Sequence, residues 1–445
     1  MKTPPITAKH QIERSRHIGF PLVAISVLLT LLIWIGSKIY FDDYFENPYK
    51  YVAKTASLSA TILICWTILL STRAKWIEQL FGSLDHVYRS HCRMGSLAFF
   101  LILVHPVFLA LDRLPDIRSF FRYFWFSDKP AENSGIVALI VFLVLIVLSR
   151  WLKIAYHHWK RSHEFFGLFL LAVATHVYLV EADVAKYPVV MGWIYGWIAL
   201  GLFGFIYIRI LYRFVGPRFN YEIERIVKLG KVWEIYLAPL AEFLCYQPGQ
   251  YLYVAFMNSA LRREAHPFSI SSARQEKLLR ISIKELGDYT SRIGMLKKGD
   301  RARISGPYGR FGEPYLRHSD ATAVLIAGGI GITPFLSMLE DEGLQQRRRG
   351  HTYLYYSVQD VNHAYYHPEI QKLAERNKKF DYIPYFSNEK GFLTVDKIES
   401  HLGTLKSTQY FICGPKQMMD ALISQLRKKK VASQDIFFED FNYLD

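Results

Sequence analysis

Only four cysteines occur in 445 residues, Cys65, Cys92, Cys245 and Cys413, and no two stand in CxxC spacing. Neither a disulfide framework nor a cysteine-based zinc or iron–sulfur site is therefore implied. The chain also lacks an internal repeat and a low-complexity segment. Its first apolar run is followed by Tyr40-Phe41-Asp42 rather than a small-residue cleavage site, so the run reads as a retained span and not a signal peptide. Acidic residues are few: 39 against 54 Lys and Arg, for a formal charge of +15. Nucleic acid is not the partner this excess indicates, because much of it flanks apolar runs: Lys2, Lys9, Arg14 and Arg16; Arg73 and Lys75; Arg150, Lys153, Lys160 and Arg161; Arg209, Arg213 and Arg218. Positive charge placed in this way fixes topology. The basic runs Arg347–Arg349 and Arg427–Lys430 read as solvated loops or helix ends.

What is present divides in two. Up to about Tyr212 the sequence is dominated by apolar stretches, and from Pro217 it reads as a soluble α/β protein. Six runs are long enough for a hydrocarbon core of about 30 Å: Phe20–Lys38, Val52–Thr72, Cys92–Leu111, Gly135–Leu152, Phe165–Val180 and Val189–Leu211. An integral membrane protein, with lipid as its surroundings, is expected. The even number of spans puts both termini on one side. The linker Arg150–Ser162 carries Lys and Arg and no acid, whereas the linkers after spans one, three and five include Asp42, Asp43, Glu46, Asp112, Asp116, Glu181 and Asp183. The positive-inside rule then makes both termini, and everything after Pro217, cytoplasmic.

Beyond Pro217, short alternating segments (Tyr221–Val227, Val232–Leu237, Gln250–Phe256, Phe268–Ser272, Leu279–Lys284, Ala302–Gly306) predict a small antiparallel barrel. From Ala321 the pattern changes. Strand Ala323–Ala327 runs into Gly328-Gly329-Ile330-Gly331 and helix Pro334–Asp341, and strands His351–Ser357, Phe380–Tyr385 and Gln409–Cys413 follow with helices between. That alternation predicts a parallel sheet with nucleotide at its carboxyl edge. The expected architecture is multi-domain: a six-helix transmembrane bundle (1–216), a β-barrel (217–318) and a Rossmann-like α/β domain (319–445).

Histidines carry the first functional signal. Span three holds His91 and His105; span five begins at His163 and holds His176. The spacings of fourteen and thirteen residues separate each pair by about 20 Å along its helix. They also approach four turns, which predicts one face per pair. Facing helices would give one level from His91 with His163 and another from His105 with His176, each offering two imidazoles across a gap. Bis-histidine haem ligation is the chemistry that fits. One intramembrane histidine is commonly a bonded packing residue, but four at matching depths are not explained by packing. Phe169, midway between the levels, is either core or a stepping stone for electrons. Arg73 and Arg93 are candidates for haem propionates or plain topology determinants.

The soluble half carries three further motifs. The segment His266-Pro267-Phe268-Ser269-Ile270-Ser271-Ser272 brings small hydroxyls to a strand, where they can bond the polar edge of a flavin. Gly287-Asp288-Tyr289-Thr290 and Gly306-Pro307-Tyr308-Gly309 follow in order. Gly328, Gly329 and Gly331, with Thr333 and Pro334 opening a helix, suit a dinucleotide pyrophosphate, and Cys413-Gly414-Pro415 ends a later strand.

The histidine spacings together with these motifs resemble the ferric reductase/NADPH oxidase superfamily, from about Ser59 to Phe441. The resemblance implies two b-type haems on the four histidines, FAD at the His266 and Gly287 motifs, and NAD(P)H near Cys413, where hydride passes to flavin. It also implies a ferredoxin reductase-like soluble half and an aromatic covering the flavin, with Phe441 the candidate and Tyr443 second. Electrons would run from cytosolic NAD(P)H to dioxygen, giving superoxide, or to a ferric or cupric chelate. Oxidases of the family have a histidine one turn beyond the outer ligand, where this chain has Leu109, and an arginine near the start of span two, where it has Lys54. Related reductases often follow the strand ending Tyr356-Ser357-Val358 with an arginine; here it is Gln359, with Lys390 near Ser387 as a compensating cation. No activating-subunit extension is recognisable, so unassisted activity is expected. The alternative from another class is a redox partner that delivers electrons to a bound protein.

Overall fold

The structure, a computed structural model, describes residues 18–152, 154, 156–180, 183–259, 261 and 264–439. It divides into two compact units, one up to Val215 and one from Gly216 onward. Phe441 and Tyr443 lie outside the described residues.

In the first unit six helices are long and apolar enough to cross a bilayer: α1 Gly19–Tyr40, α2 Pro48–Leu70, α3 His86–Leu111, α4 Pro130–Trp151, α5 His158–Leu179 and α6 Pro188–Leu211. They match the six expected runs, with ends within two residues and starts up to seven residues earlier. Prolines at the first turns of α2, α4 and α6 start helices where no amide donor is needed. The Asn47 side chain caps α2 by accepting from Tyr49 N. In α2 every residue from Leu58 to Leu70 is buried, which makes it the central span. Large apolar side chains on the other spans, such as Leu28, Leu32, Phe100 and Phe203, stay exposed on the bundle's outside, where lipid is their natural solvent.

Span α1 is fastened through a polar stripe at four-residue spacing. Ser26 and Thr30 accept from Trp66 and Trp193, Trp34 donates to Asp183, and buried Lys38 stands 3.3 Å from Asp183. Two spans end in wider turns, Val147–Trp151 on α4 and Tyr207–Leu211 on α6, with backbone bonds reaching five residues.

The second unit holds two sheets. Strands β1 Phe219–Leu229, β2 Val232–Pro239, β3 Tyr251–Phe256, β4 His266–Ser269, β5 Leu279–Lys284 and β6 Arg301–Tyr308 form an antiparallel sheet in the order β4-β3-β6-β1-β2-β5. A bridge between Ile270 and Ile281 brings its two ends together, so the sheet curls into the expected barrel around Ile223, Leu237, Val254, Ile281 and Ile304. The strand expected over Phe268–Ser272 begins earlier, at His266, and its ladder with β3 ends at Ser269. Then come β7 Thr322–Gly328, α7 Thr333–Glu340, β8 Thr352–Val358, α8 His367–Arg376, β9 Phe380–Phe386, α9 Val395–Leu402, β10 Thr408–Cys413, α10 Lys416–Lys428 and β11 Ile436–Glu439. Their parallel sheet has the order β11-β10-β7-β8-β9. Strand β11 was not expected: only four residues long, it follows α10 and pairs in parallel with β10, so it extends the strand–helix alternation by one unit.

Candidate functional site

Each histidine level comes from two helices and is held by two more. His91 Nδ1 donates to the Thr67 carbonyl at 2.8 Å and His105 Nδ1 to that of Ala53 at 2.9 Å, both on α2. On the other side, His176 Nδ1 donates to the Ala131 carbonyl at 3.0 Å and has Ser134 Oγ at 3.1 Å. His163 Nδ1 meets Ser149 Oγ at 3.1 Å. Ser149 sits in the wide turn that ends α4, and its carbonyl accepts from Trp159, whose ring stacks on His163. With Nδ1 engaged in all four rings, Nε2 is the nitrogen left to bind a metal. The His91 and His163 ring centroids are 5.8 Å apart. Two imidazoles, each with a nitrogen about 2 Å from one metal, would place their centroids about 6 Å apart. His105 and His176 lie within electrostatic reach of each other. The residues of the first level therefore fit a haem.

The expectation that thirteen residues keep two histidines on one face needs correction. A uniform helix turns about 100° per residue, which would leave His163 and His176 about 140° apart. The chain recovers the angle at Phe165, between the helical segments Tyr156–Glu164 and Phe166–Leu179. There Phe165 N donates to Ser162 O and Leu168 N to Phe165 O, each three residues back, and this tighter winding advances about 120° per residue. Both side chains consequently find partners on α4. Gly135 completes the second level, since a Cβ there would lie 2.8 Å from the His176 ring. Ser134, Gly135 and Ser149 were missed from sequence. Their only signal is that Ser134 and Ser149 stand fifteen residues apart on α4, close to the thirteen that separate the histidines on α5.

Phe169 is 2% exposed, with its ring 4.7 Å from Phe142 on α4 and 6.4 Å from Phe166, which lies 4.9 Å from His163. It is core, and it also belongs to an aromatic chain leading from His163. Arg73 follows the end of α2 in a left-handed conformation, φ 55°. Arg93 is exposed and lies two residues from His91 on α3.

In the second unit a groove of about 850 Å³ opens between the barrel edge and the carboxyl ends of the parallel strands. Gly328, Gly329, Ile330, Gln359, Ser387 and Pro415 line one side, and Lys231 and Lys284 the barrel side. The glycines divide by role. Gly329, φ +54°, has nothing within 4 Å of a would-be Cβ and leaves its backbone open to a ligand. Gly331 and Gly414 instead let two turns touch: a Cβ on Gly331 would lie 2.3 Å from the Cys413 carbonyl oxygen, and one on Gly414 2.8 Å from Gly328 Cα. Thr333 Oγ1 donates to the Ile330 carbonyl, and Pro334 occupies the first turn of α7. Cys413 ends β10, buried. Lys390 holds its ammonium over the Tyr385 ring and is not among the groove's lining residues.

Of the flavin motif, β4 carries His266, Pro267, Phe268 and Ser269, with the His266 ring 3.8 Å from that of Tyr289. Burial pushes the Tyr289 hydroxyl up to about 12. Ser271 and Ser272 do not act as expected. Ser271 Oγ bonds the Arg280 carbonyl and Ser282, and Ser272 Oγ accepts from Arg280 N, so both hydroxyls close the barrel from inside. Thr290 Oγ1 likewise folds back on Leu286, closing the turn in which Gly287 adopts φ +88° and Asp288 stays exposed. Gly306, φ +141°, packs against Leu252.

Residues 56–174 match the ferric reductase-like transmembrane component, 225–311 an FAD-binding domain, and 325–423 an oxidoreductase NAD-binding domain. This is the NADPH oxidase/ferric reductase-like architecture. The ferric reductase-like domain takes in His91, His105 and His163 and stops just short of His176. The chain is a membrane oxidoreductase with flavin- and NAD(P)-binding domains. It is 29% identical over 224 residues to flavohemoprotein A of Dictyostelium discoideum, covering 46% of this chain and 54% of that one. One component of the Na(+)-translocating NADH-quinone reductase of Marinomonas is 27% identical over 35% of this chain and 40% of its own. The phenol hydroxylase P5 protein of Acinetobacter pittii is 31% identical over 44% and 58%. The chain thus spans about half the length of these relatives. A solved flavohemoglobin from Malassezia yamatoensis, with bound FAD and heme, superposes at a TM-score of 0.52 and 20% identity over 89% of this chain and 99% of that one, a likeness of fold alone.

Proposed function

We propose that the chain carries electrons from NAD(P)H across the bilayer to an acceptor on the far face, with dioxygen the acceptor and superoxide the product. Bound FAD would take hydride and release electrons singly, and two b haems would accept and return one electron at a time, for which ligation without an open iron position is suited. His91 and His163 would hold one haem, His105 and His176 the other, with Thr67, Ser149, Ala53 and Ala131 fixing the ring orientations. Phe169 would lie on the path between them. His266–Ser269 and Gly287–Thr290 would hold the flavin; Gly328–Pro334 and Cys413–Pro415 would hold the nucleotide. The observation that carries the reading is the set of four intramembrane histidines, each tied through Nδ1, in one chain with flavin and nucleotide domains.

Lys54 supports dioxygen, since it lies within electrostatic reach of His105 and His176, where a cation would favour a developing superoxide anion. Leu109, in place of the oxidases' histidine, favours the second reading, direct reduction of a chelated ferric ion. The purified chain, loaded with haem and FAD and given NAD(P)H without a partner protein, is expected to reduce cytochrome c in a manner abolished by superoxide dismutase. A dismutase-insensitive signal would transfer the assignment to the ferric chelate, and silence until a partner is added would overturn unassisted activity.

The donor preference has its own test. Gln359 lines the groove at the end of β8, where a cation would meet a 2′-phosphate. Gln359→Arg is expected to move the NADPH-to-NADH ratio of kcat/KM upward by about tenfold, the worth of one charge-assisted hydrogen bond. An unchanged ratio would exclude this position from 2′-phosphate recognition.

A further inference from the structure

Between the barrel and the parallel sheet lies a charge cluster that neither the histidine levels nor the groove uses. Its centre is Arg280 on β5, 7% exposed. Arg280 Nη2 donates to the Ser271 carbonyl at 2.7 Å and to both oxygens of Glu340, at 3.1 and 3.0 Å. Its Nη1 donates to Glu369 Oε1 at 2.8 Å and stands 3.6 Å from Glu234 Oε1. Ser271 follows the flavin strand. Glu340 is the last residue of α7, the helix that begins at the glycine turn. Glu369 lies on α8 and Glu234 on β2.

Other bonds fasten the same end of α7. Arg274 grips Asp341 with two bonds of 2.7 Å, Gln275 donates to the Glu340 carbonyl, and Ser337 donates to the Ser272 carbonyl. Helix α7 therefore runs from the nucleotide turn at one end to the segment following the flavin strand at the other. It is only eight residues, about 12 Å, long. A lever so short and so well packed transmits a shift at its base to its tip with little loss.

Charge balance makes the seam conditional. One guanidinium faces Glu340, Glu369 and Glu234; Tyr236 donates to Glu234, and the ring of Tyr366 is buried beside them. Burial, and then the hydrogen bond to Glu369, lift the Glu340 carboxyl to about 9. Burial pushes Glu369 the same way, but its bonds to Glu340 and Arg280 outweigh that and hold it low. The pair thus keeps one proton at neutral pH. A carboxyl raised on folding supports the native seam fully in acid and loses that support as pH rises through about 9.

We infer that Arg280 is a positioning residue for hydride transfer: with Glu340 and Glu369 it sets the distance between the flavin strand and the nucleotide turn. The step it serves breaks one C–H bond of the dihydronicotinamide; the hydrogen and both electrons pass to the flavin, and the nicotinamide leaves oxidised. The inference rests on the flavin and nucleotide sites proposed above.

The test is anaerobic stopped-flow reduction of the full chain, FAD-loaded, by saturating NADH or NADPH. Arg280→Ala is expected to slow flavin bleaching by about 10- to 100-fold, the cost of misplacing reacting groups by about an ångström, at unchanged FAD content. Arg280→Lys is expected to recover part of the rate. The wild-type rate should fall as pH rises through about 9, and Glu340→Gln should remove that fall. Wild-type rates and pH profile in Arg280→Ala would overturn the inference. Should that variant not fold, an alkaline fall that persists in Glu340→Gln would overturn it instead. A wild-type flavin that neither nucleotide reduces would overturn the parent reading as well, which separates the two failures.

Discussion

His105→Leu and His176→Leu are each expected to lower the haem content from two per chain to one and to abolish delivery of electrons to the acceptor, while NAD(P)H still reduces the flavin at the wild-type rate. The argument is one of ligand number. Each level offers two imidazoles, and among the described residues no cluster of three or more metal-binding side chains supplies a substitute. Leucine keeps the helix apolar and roughly fills the volume of the ring, so the bundle should assemble. Loss of a single supporting bond to a ligand commonly costs about 10- to 100-fold in metal affinity, and loss of the ligand itself costs more. The second unit is compact in its own right and should keep its chemistry. Haem per chain by pyridine haemochrome, with flavin bleaching and acceptor reduction on the same sample, checks this. Two haems per chain in either variant would refute the pairing.

Gly331→Ala is expected to weaken NAD(P)H binding by about 10- to 100-fold without loss of FAD. Its new methyl would lie 2.3 Å from the Cys413 carbonyl oxygen, 2.5 Å from its carbon and 2.7 Å from Gly414 N. All three are backbone atoms and none can rotate aside. Strands β7 and β10 are neighbours in register up to Ala327 and Cys413, so the turns part only if the ends of the ladder part with them. Overpacking of this kind typically costs about 1–3 kcal/mol, and each 1.4 kcal/mol is about tenfold in affinity. Gly329→Ala makes the contrast. Its site is spatially open and only the left-handed backbone resists, so the smaller cost, about 1 kcal/mol, is expected there. Wild-type affinity in Gly331→Ala, measured by titration of the full chain, would mean that the two turns do not need to touch.

Much of this molecule is legible in its sequence. Six spans, the barrel strands and the strand–glycine–helix unit follow from hydrophobic period and turn residues, which are local properties. The residue positions of the histidine ladder are equally plain, because apolar helices leave few polar residues to choose among. Less legible is what each motif residue does. Ser271 and Ser272 read as flavin-facing hydroxyls but close the barrel, since a strand pattern gives alternation and not which face meets the ligand. The glycines read as a phosphate cradle, yet Gly331 and Gly414 serve a contact between two turns far apart in sequence. Arg280 carries no sequence signal at all, because its partners at 234, 340 and 369 come from three other elements.

By itself the sequence determined the division into a bilayer-spanning half and a soluble half, and the identity of the four histidines, since burial in lipid and strand or helix period are written residue by residue. Tertiary structure decided how those histidines are held. The tight turn at Phe165 recovers the angle that a thirteen-residue spacing loses, and carbonyls and serines of α2 and α4 fix each Nδ1. A spacing gives an angle only for a uniform helix, and a hydrogen-bond partner on another span depends on how the whole bundle packs.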